Sequence, residues 1–213
     1  MLRILATPRS AGNPYCDLLY DAIEDLATEG EAIKIKEYRS ERLLTEGCDV
    51  WHIHWPEIFY QNMSKTKAIP NILRILSLFL WARVMGIRIV WTIHNLSSHE
   101  KNHPVLELLF LRAFSSLVHG TISMSQRAQR LAFEMYPALR RKPATVIPHG
   151  HYRNAYPRKI NRKEAREKLG LKSHHCVGLY FGNIRQYKNV PHLIRTARRV
   201  SDPSFQLLVV GNP

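Results

Sequence analysis

The seven residues from Gly182 to Lys188 (GNIRQYK) follow the apolar run Val177–Phe181 and precede a stretch beginning at Val190 whose apolar residues recur at helical spacing. A strand that passes through a glycine turn into a helix aims backbone N–H groups and a helix N-terminus at one point, which suits an anion and above all a phosphate. Arg185 and Lys188 supply cations to neutralise it. Gly182, Asn183, Arg185 and Lys188 are therefore the candidate phosphate-binding residues. Phe205–Val210, closed by Gly211, repeats the pattern and reads as the next strand.

Three further polar clusters stand just after predicted strands. They are Ser10 to Asn13, His52 to Glu57 with His54 between them, and His94-Asn95 followed by His99 and Glu100. In a doubly wound sheet, ligands bind beyond the carboxyl ends of the strands, so these segments are expected to converge on one crevice. A single histidine at a strand end is commonly structural, but several ionisable strand ends at one sheet edge point to a site. His94 is the candidate to line the reacting centre. His54, Glu57, His99 and Glu100 would position the group that attacks, with Glu57 or Glu100 as the acceptor of its proton. Gly12 and Asn13 would allow the backbone to come close to the ligand.

The run from His99 to His103 also fits H-E-x-x-H, the zinc-peptidase pattern. That chemistry needs both histidines on one helical face, with the glutamate as base. His103 precedes Pro104, which disfavours helical geometry at His103, and the run sits in a loop after a strand. No metal site is expected.

Short apolar runs alternate with amphipathic stretches along the chain, the pattern of a parallel sheet with helices on both faces. Strands are predicted at Leu2–Ala6, Ala32–Lys36, Val50–His54, Arg88–Ile93, Leu117–Ile122 and Thr145–Ile147. Helices are predicted over 71–85, 104–115 and 125–135. An earlier helix is expected to bury Tyr15, Leu18, Leu19, Ala22, Ile23 and Leu26 and to show Asp17, Asp21, Glu24 and Asp25 to solvent. Residues 149–158 have no periodicity and mark a crossing. The expected organisation is α/β: a complete doubly wound, Rossmann-like domain over 1–150 and the opening of a second, only partly present, over 151–213.

Residues 1–139 carry 15 basic and 14 acidic side chains and residues 140–199 carry 16 and 2, so nearly the whole net charge of +14 sits in one segment. Such a segment suits diphosphates, an anionic membrane or a polyanion. Cys16, Cys48 and Cys176 are odd in number and far apart, and build neither a disulfide framework nor a CxxC metal site. Met1–Pro8 is too short an apolar run for a signal peptide, and a cytoplasmic protein is expected. The apolar run from Ile75 to Ala82 is far shorter than the roughly 20 residues that cross a bilayer. Its helix reads as buried, or as lying at a membrane interface.

Together these motifs resemble the GT-B glycosyltransferases, in particular the large retaining group of family 4 type with a Gly-Arg-x-x-x-x-Lys-Gly donor-phosphate motif. The resemblance extends over essentially the whole chain. Val90 to Asn95 resembles the family's strand ending in T-x-H, Ile122 to Ser125 its I-x-x-S turn, Val146 to Gly150 its V-I-P-N-G crossing, and Phe181 to Asn189 its donor motif. Asn183 replaces the motif's arginine and Asn189 its last glycine, so Arg185 is the substitute cation while Lys188 carries over directly. The family's E-x7-E segment would lie beyond Pro213, and little transfer is expected from these 213 residues alone.

The resemblance implies transfer of a hexose from a nucleotide-diphosphate sugar to a glycan or polyprenyl-linked acceptor, as in exopolysaccharide or cell-surface polysaccharide assembly. It implies no metal and no cofactor beyond the co-substrate, because cations and a helix dipole stabilise the departing diphosphate. Lys188 and Arg185 would take that role, and His94 would bond a donor-sugar hydroxyl. The basic segment and the Trp81 helix fit a protein held peripherally on an anionic membrane. The rival readings are a basic nucleic-acid-binding α/β protein, against which the segment lacks interleaved aromatics, and an acceptor-domain module that binds without turnover.

Overall fold

The structure, a computed structural model, describes residues 1–10, 12, 14–27, 32–98, 103–153, 155, 156 and 159–212. It divides into two compact units, Met1–Ala155 and Tyr156–Pro213.

Six parallel strands form the sheet of the first unit: β1 (Leu2–Thr7), β2 (Ile33–Glu37), β3 (Val50–Ile53), β4 (Arg88–Ile93), β5 (Gly120–Ser123) and β6 (Ala144–Val146). Their order is β2-β1-β3-β4-β5-β6. From β1 the chain runs first to one side and then, from β3, steadily to the other, so the winding reverses between β1 and β3. That reversal opens a crevice at the carboxyl ends of these two strands. In β4, Ile89, Trp91, Thr92 and Ile93 are all buried, as expected for a strand covered on both faces.

One face is covered by α3 (Lys65–Val84) and α4 (Pro104–Leu117). Phe79 of α3 lies 4.7 Å from the Trp51 ring and 5.0 Å from Phe114, which in turn lies 5.3 Å from Trp91. These rings are all under 2% exposed and form the centre of the larger core. The other face carries a smaller cluster of Ala6, Cys16, Tyr20 and Ile35 beneath α1 (Pro14–Asp25). A further helix, α5 (Gln126–Met135), starts where the Ser125 hydroxyl accepts from Ala128 N–H at 3.1 Å, the N-cap expected of serine.

Several elements differ from the sequence expectation. The α1 helix is rotated: Cys16 and Tyr20 are buried, while Leu18 and Leu26 are exposed. Cys16 and Tyr20 pack with Ala6 and Ile35 of the sheet, and the acidic side chains Asp17, Asp21 and Glu24 lie 3.6, 2.6 and 3.6 Å from Arg9 after β1. The α3 helix begins at Lys65, not 71, and contains Pro70, whose missing N–H removes one helical hydrogen bond without ending the helix. It is buried on one stripe only, by Ala68, Ile72, Ile75, Phe79 and Ala82, while Ile69, Leu73, Leu80 and Val84 are exposed. Leu117 and Val118 close α4, so β5 starts only at Gly120. The short helix α2 (Ser40–Thr45) has too few turns to show a period and was not expected.

The second unit contains α6 (Arg162–Lys168), β7 (Cys176–Phe181), α7 (Val190–Ala197) and β8 (Phe205–Val210). Asn161 and Glu164 cap α6 reciprocally in a capping box. Strands β7 and β8 pair in parallel from Cys176–Phe205 to Phe181–Val210, with Leu179 and Phe181 63% and 80% exposed.

Candidate active site

Alternation along β3 places His52 and His54 on the same side of the sheet, since strand side chains repeat every second residue. Both are buried beneath α1, where the Tyr20 hydroxyl lies 2.9 Å from Nδ1 of His52 and 2.7 Å from Nε2 of His54. Nε2 of His52 is 2.7 Å from the Thr92 hydroxyl on the neighbouring strand. Nδ1 of His54 is 3.0 Å from Nε2 of His94, the residue that follows β4. The His94 ring stacks on Trp55 with centroids 4.4 Å apart and meets the edge of Tyr15 at 4.8 Å. His149 reaches the same Tyr15 ring at 4.9 Å.

These contacts join α1 to the ends of β3 and β4, and β3 is one of the two strands between which the winding reverses. The guanidinium of Arg9, just after β1, lies 5.3 Å from the centre of the Tyr20 ring. Burial lowers His52 and His94 to about 4, with His94 adding to the effect on His52 and His149 to that on His94. Burial, with both neighbouring imidazoles, holds His54 lower still. All three rings are neutral near pH 7. Every ring nitrogen of His52 and His54 is engaged in these bonds, and among the described residues no group of three His, Cys, Asp or Glu side chains is arranged to hold a metal ion.

The loop after β4 is pinned by Glu107 of α4, whose carboxylate accepts from the Ser98 N–H at 2.5 Å and from the Ser98 hydroxyl. The Tyr136 hydroxyl donates to the Leu96 carbonyl. Glu57 stands in a 3-10 turn, Pro56–Phe59, after β3. Burial pushes its carboxyl up to about 7, with Glu107 contributing, so it titrates near neutrality. Its electrostatic neighbours are Glu107, Tyr60 and Tyr136, and no hydrogen bond or ring contact among the described residues joins it to the histidines. His103 sits at the N-cap of α4 with φ −142°, outside the helix, and its Nε2–H donates to the Met63 carbonyl at 2.9 Å. Gly12 has φ +71°, a conformation glycine adopts freely, and is exposed. Asn13, His99 and Glu100 lie outside the described residues.

In the second unit, Gly182 closes β7 with φ +134°, and its N–H donates to the Val210 carbonyl at 2.9 Å. The Nζ of Lys188 lies 3.4 Å from where a β-carbon on Gly182 would be, so the missing side chain leaves room for the ammonium. Gly211 must also lack a side chain, since a β-carbon there would meet the Gly182 carbonyl oxygen at 1.9 Å. Residues Gln186–Lys188 form a 3-10 turn, and Asn189 takes the left-handed conformation, φ 52° and ψ 35°, immediately before α7. Asparagine tolerates this region better than most residues, which accounts for Asn189 where the motif has glycine. The Tyr180 hydroxyl donates to the Asn183 carbonyl at 2.8 Å. Arg185 and Lys188 are exposed.

His54 and His94 follow from their places at strand ends, whereas Tyr20, Thr92, Tyr15 and His149 do not show in the sequence as their partners. The spacing of His52 and His54 was the available signal. Tyr20 was hidden because its helix face was assigned to other residues.

No family model matches the chain. It is 30% identical over 207 residues, 97% of its length, to a GDP-mannose:glycolipid 4-beta-D-mannosyltransferase of Xanthomonas campestris pv. campestris. The match takes in 52% of that protein, so the chain spans about half the length of the curated relatives it matches. Among solved structures, the complex of Anabaena HepE with UDP-glucose superimposes with a TM-score of 0.61 at 15% identity, over 100% of this chain and 61% of that one. HepE with UDP and glucose gives 0.58 at 16% identity, over 99% and 61%. The chain is thus similar in sequence to a glycosyltransferase over about half of that protein's length, and its parallel α/β fold is of the GT-B type seen in HepE.

Proposed function

We propose that the chain is the part of a hexosyltransferase that binds the acceptor and the donor diphosphate, and that the whole protein moves a hexose from a nucleotide-diphosphate sugar to a lipid-linked glycan in cell-surface polysaccharide synthesis. The observation that carries this reading is the pairing of Gly182 with Lys188 at the end of β7, in a chain whose first unit gathers His54 and His94 at the switch point of its sheet. The name of the Xanthomonas relative supports the donor class and a glycolipid acceptor.

In this reading Lys188 and Arg185 neutralise the leaving diphosphate, with Gly182 and Asn183 giving it backbone access. His94 touches the donor sugar, Gly12, Asn13, His54 and His99 position the acceptor, and Glu57 or Glu100 takes the acceptor's proton. The part-protonated state of Glu57 near neutrality supports it as one candidate. No metal and no cofactor other than the nucleotide sugar takes part. Labelled hexose supplied as GDP- or UDP-sugar should enter a lipid extract in the presence of the protein, and Lys188→Ala should abolish that. Transfer unchanged by the substitution would refute the assignment.

The protein acts on the inner face of an anionic membrane in this reading. Among the described residues no helix is long and apolar enough to cross one. On α3, Ile69, Leu73, Leu80 and Val84 are exposed, and Ile69 lines an apolar groove of about 410 Å³ together with Lys65 and with Val105 and Leu109 of α4. Apolar side chains edged by lysine suit insertion among anionic headgroups. Equal sedimentation with phosphatidylglycerol and phosphatidylcholine vesicles would count against it.

A further inference from the structure

Thr92, His52, Tyr20, His54 and His94 form one unbranched hydrogen-bonded chain, with links of 2.7, 2.9, 2.7 and 3.0 Å. A neutral imidazole carries one N–H and one lone pair, and a phenol carries one O–H. The three rings are neutral, so a ring that accepts at one nitrogen must donate at the other. A phenol that accepted from both rings would leave its own buried O–H unmade, so all four links point the same way and two states remain. If they point inward from His94, Thr92 accepts from His52 and its own hydroxyl proton must go elsewhere. Thr92 is fully buried, and the described residues offer its hydroxyl no other acceptor. If they point outward, that proton goes to His52 and every buried donor is used. The cost of an unmade buried donor favours the outward state against the ordinary preference of free imidazole for Nε2–H.

We propose that Thr92 polarises this chain outward and, through His52, Tyr20 and His54, locks His94 in the tautomer that carries its proton on Nδ1. Tyr20, His52 and Thr92 are then positioning residues for His94. The inference rests on the proposed function for its consequence. A locked Nδ1–H gives a hydrogen bond to an oxygen of the ligand and takes no proton from it, so the acceptor's proton falls to another group. Among the described residues Thr92 has no further partner to receive a proton, so the hydrogen-bonded chain sets a tautomer and conducts no net charge.

Long-range proton–nitrogen correlation spectra of the nitrogen-15-labelled 213-residue chain at pH 7.5 read the tautomers directly. His52, His54 and His94 should all show a protonated Nδ1 and a bare Nε2, the less common form of free histidine. Tyr20→Phe cuts the chain in the middle, so His94 should gain the Nε2–H form while His52 keeps its Nδ1–H. Thr92→Ser retains the hydroxyl and should retain the wild-type pattern, which leaves a test if Tyr20→Phe does not fold. His94 carrying its proton on Nε2 in the wild type, or an unchanged His94 in folded Tyr20→Phe, would overturn the proposal. No donor or acceptor is present in these spectra, so failure here is distinct from failure of the transfer reading.

Discussion

Lys188 lies against the open side of Gly182: its Nζ is 3.4 Å from the position of the absent β-carbon. The pair links a backbone requirement to a charge. Gly182→Ala should push the ammonium aside and strain a backbone held at φ +134°. The expected result is a loss of about 1 kcal/mol or more in stability of the second unit, together with weaker binding of UDP or GDP. Urea unfolding and calorimetric titration measure the two effects separately.

Removing the charge alone should leave the fold intact. Lys188 is exposed, so Lys188→Ala is expected to change stability by less than about 0.5 kcal/mol. A charge-assisted hydrogen bond contributes about 1.5–3 kcal/mol, so affinity for a nucleoside diphosphate should fall roughly tenfold or more. Calorimetry on the wild type and variant checks the difference, and equal affinities would exclude Lys188 from the phosphate site.

Tyr20→Phe removes one hydroxyl and leaves Nδ1 of His52 and Nε2 of His54 without their partner in a buried layer. A cost of about 1–3 kcal/mol is expected for unmade buried polar groups, measurable as a lower urea midpoint with an unchanged slope. A variant as stable as the wild type would mean that water replaces the hydroxyl.

Acid should destabilise the first unit before its carboxylates titrate generally. The histidines at 52, 54 and 94 have folded values lowered to about 4 or below, against an unfolded value near 6.5. Their contribution is complete above about pH 6.5 and is lost as pH falls from there through the folded values. Glu57 acts in the opposite sense, because its folded value is raised to about 7 and it favours the folded state more as pH falls from 7 to its unfolded value. Three imidazoles outweigh one carboxyl. Unfolding free energy measured by urea at pH 7.5, 6 and 5 should therefore decline, and a rise would contradict the burial of the histidine cluster.

The alternation of apolar runs and amphipathic stretches made the parallel sheet legible, and Arg88–Ile93 matches its strand end for end. The strand-end rule led to His54 and His94 because a doubly wound sheet leaves few other places for a ligand. The pairing of His52 with Thr92 was not legible, since it depends on which strands lie side by side. Tyr20 was missed for a similar reason: helical spacing alone cannot show which face of α1 meets Ala6, Ile35 and the two histidines. Lys65 was missed as a helix start because Pro70 reads as a breaker.

Amide shifts of the labelled chain during titration with GDP-mannose and UDP-glucose test the central claim most directly. Saturable shifts confined to Gly182, Asn183 and the segment from Arg185 to Asn189, absent in Lys188→Ala, are the expected result. Shifts that do not saturate, or that are the same in the variant, would contradict a donor-phosphate site at this turn.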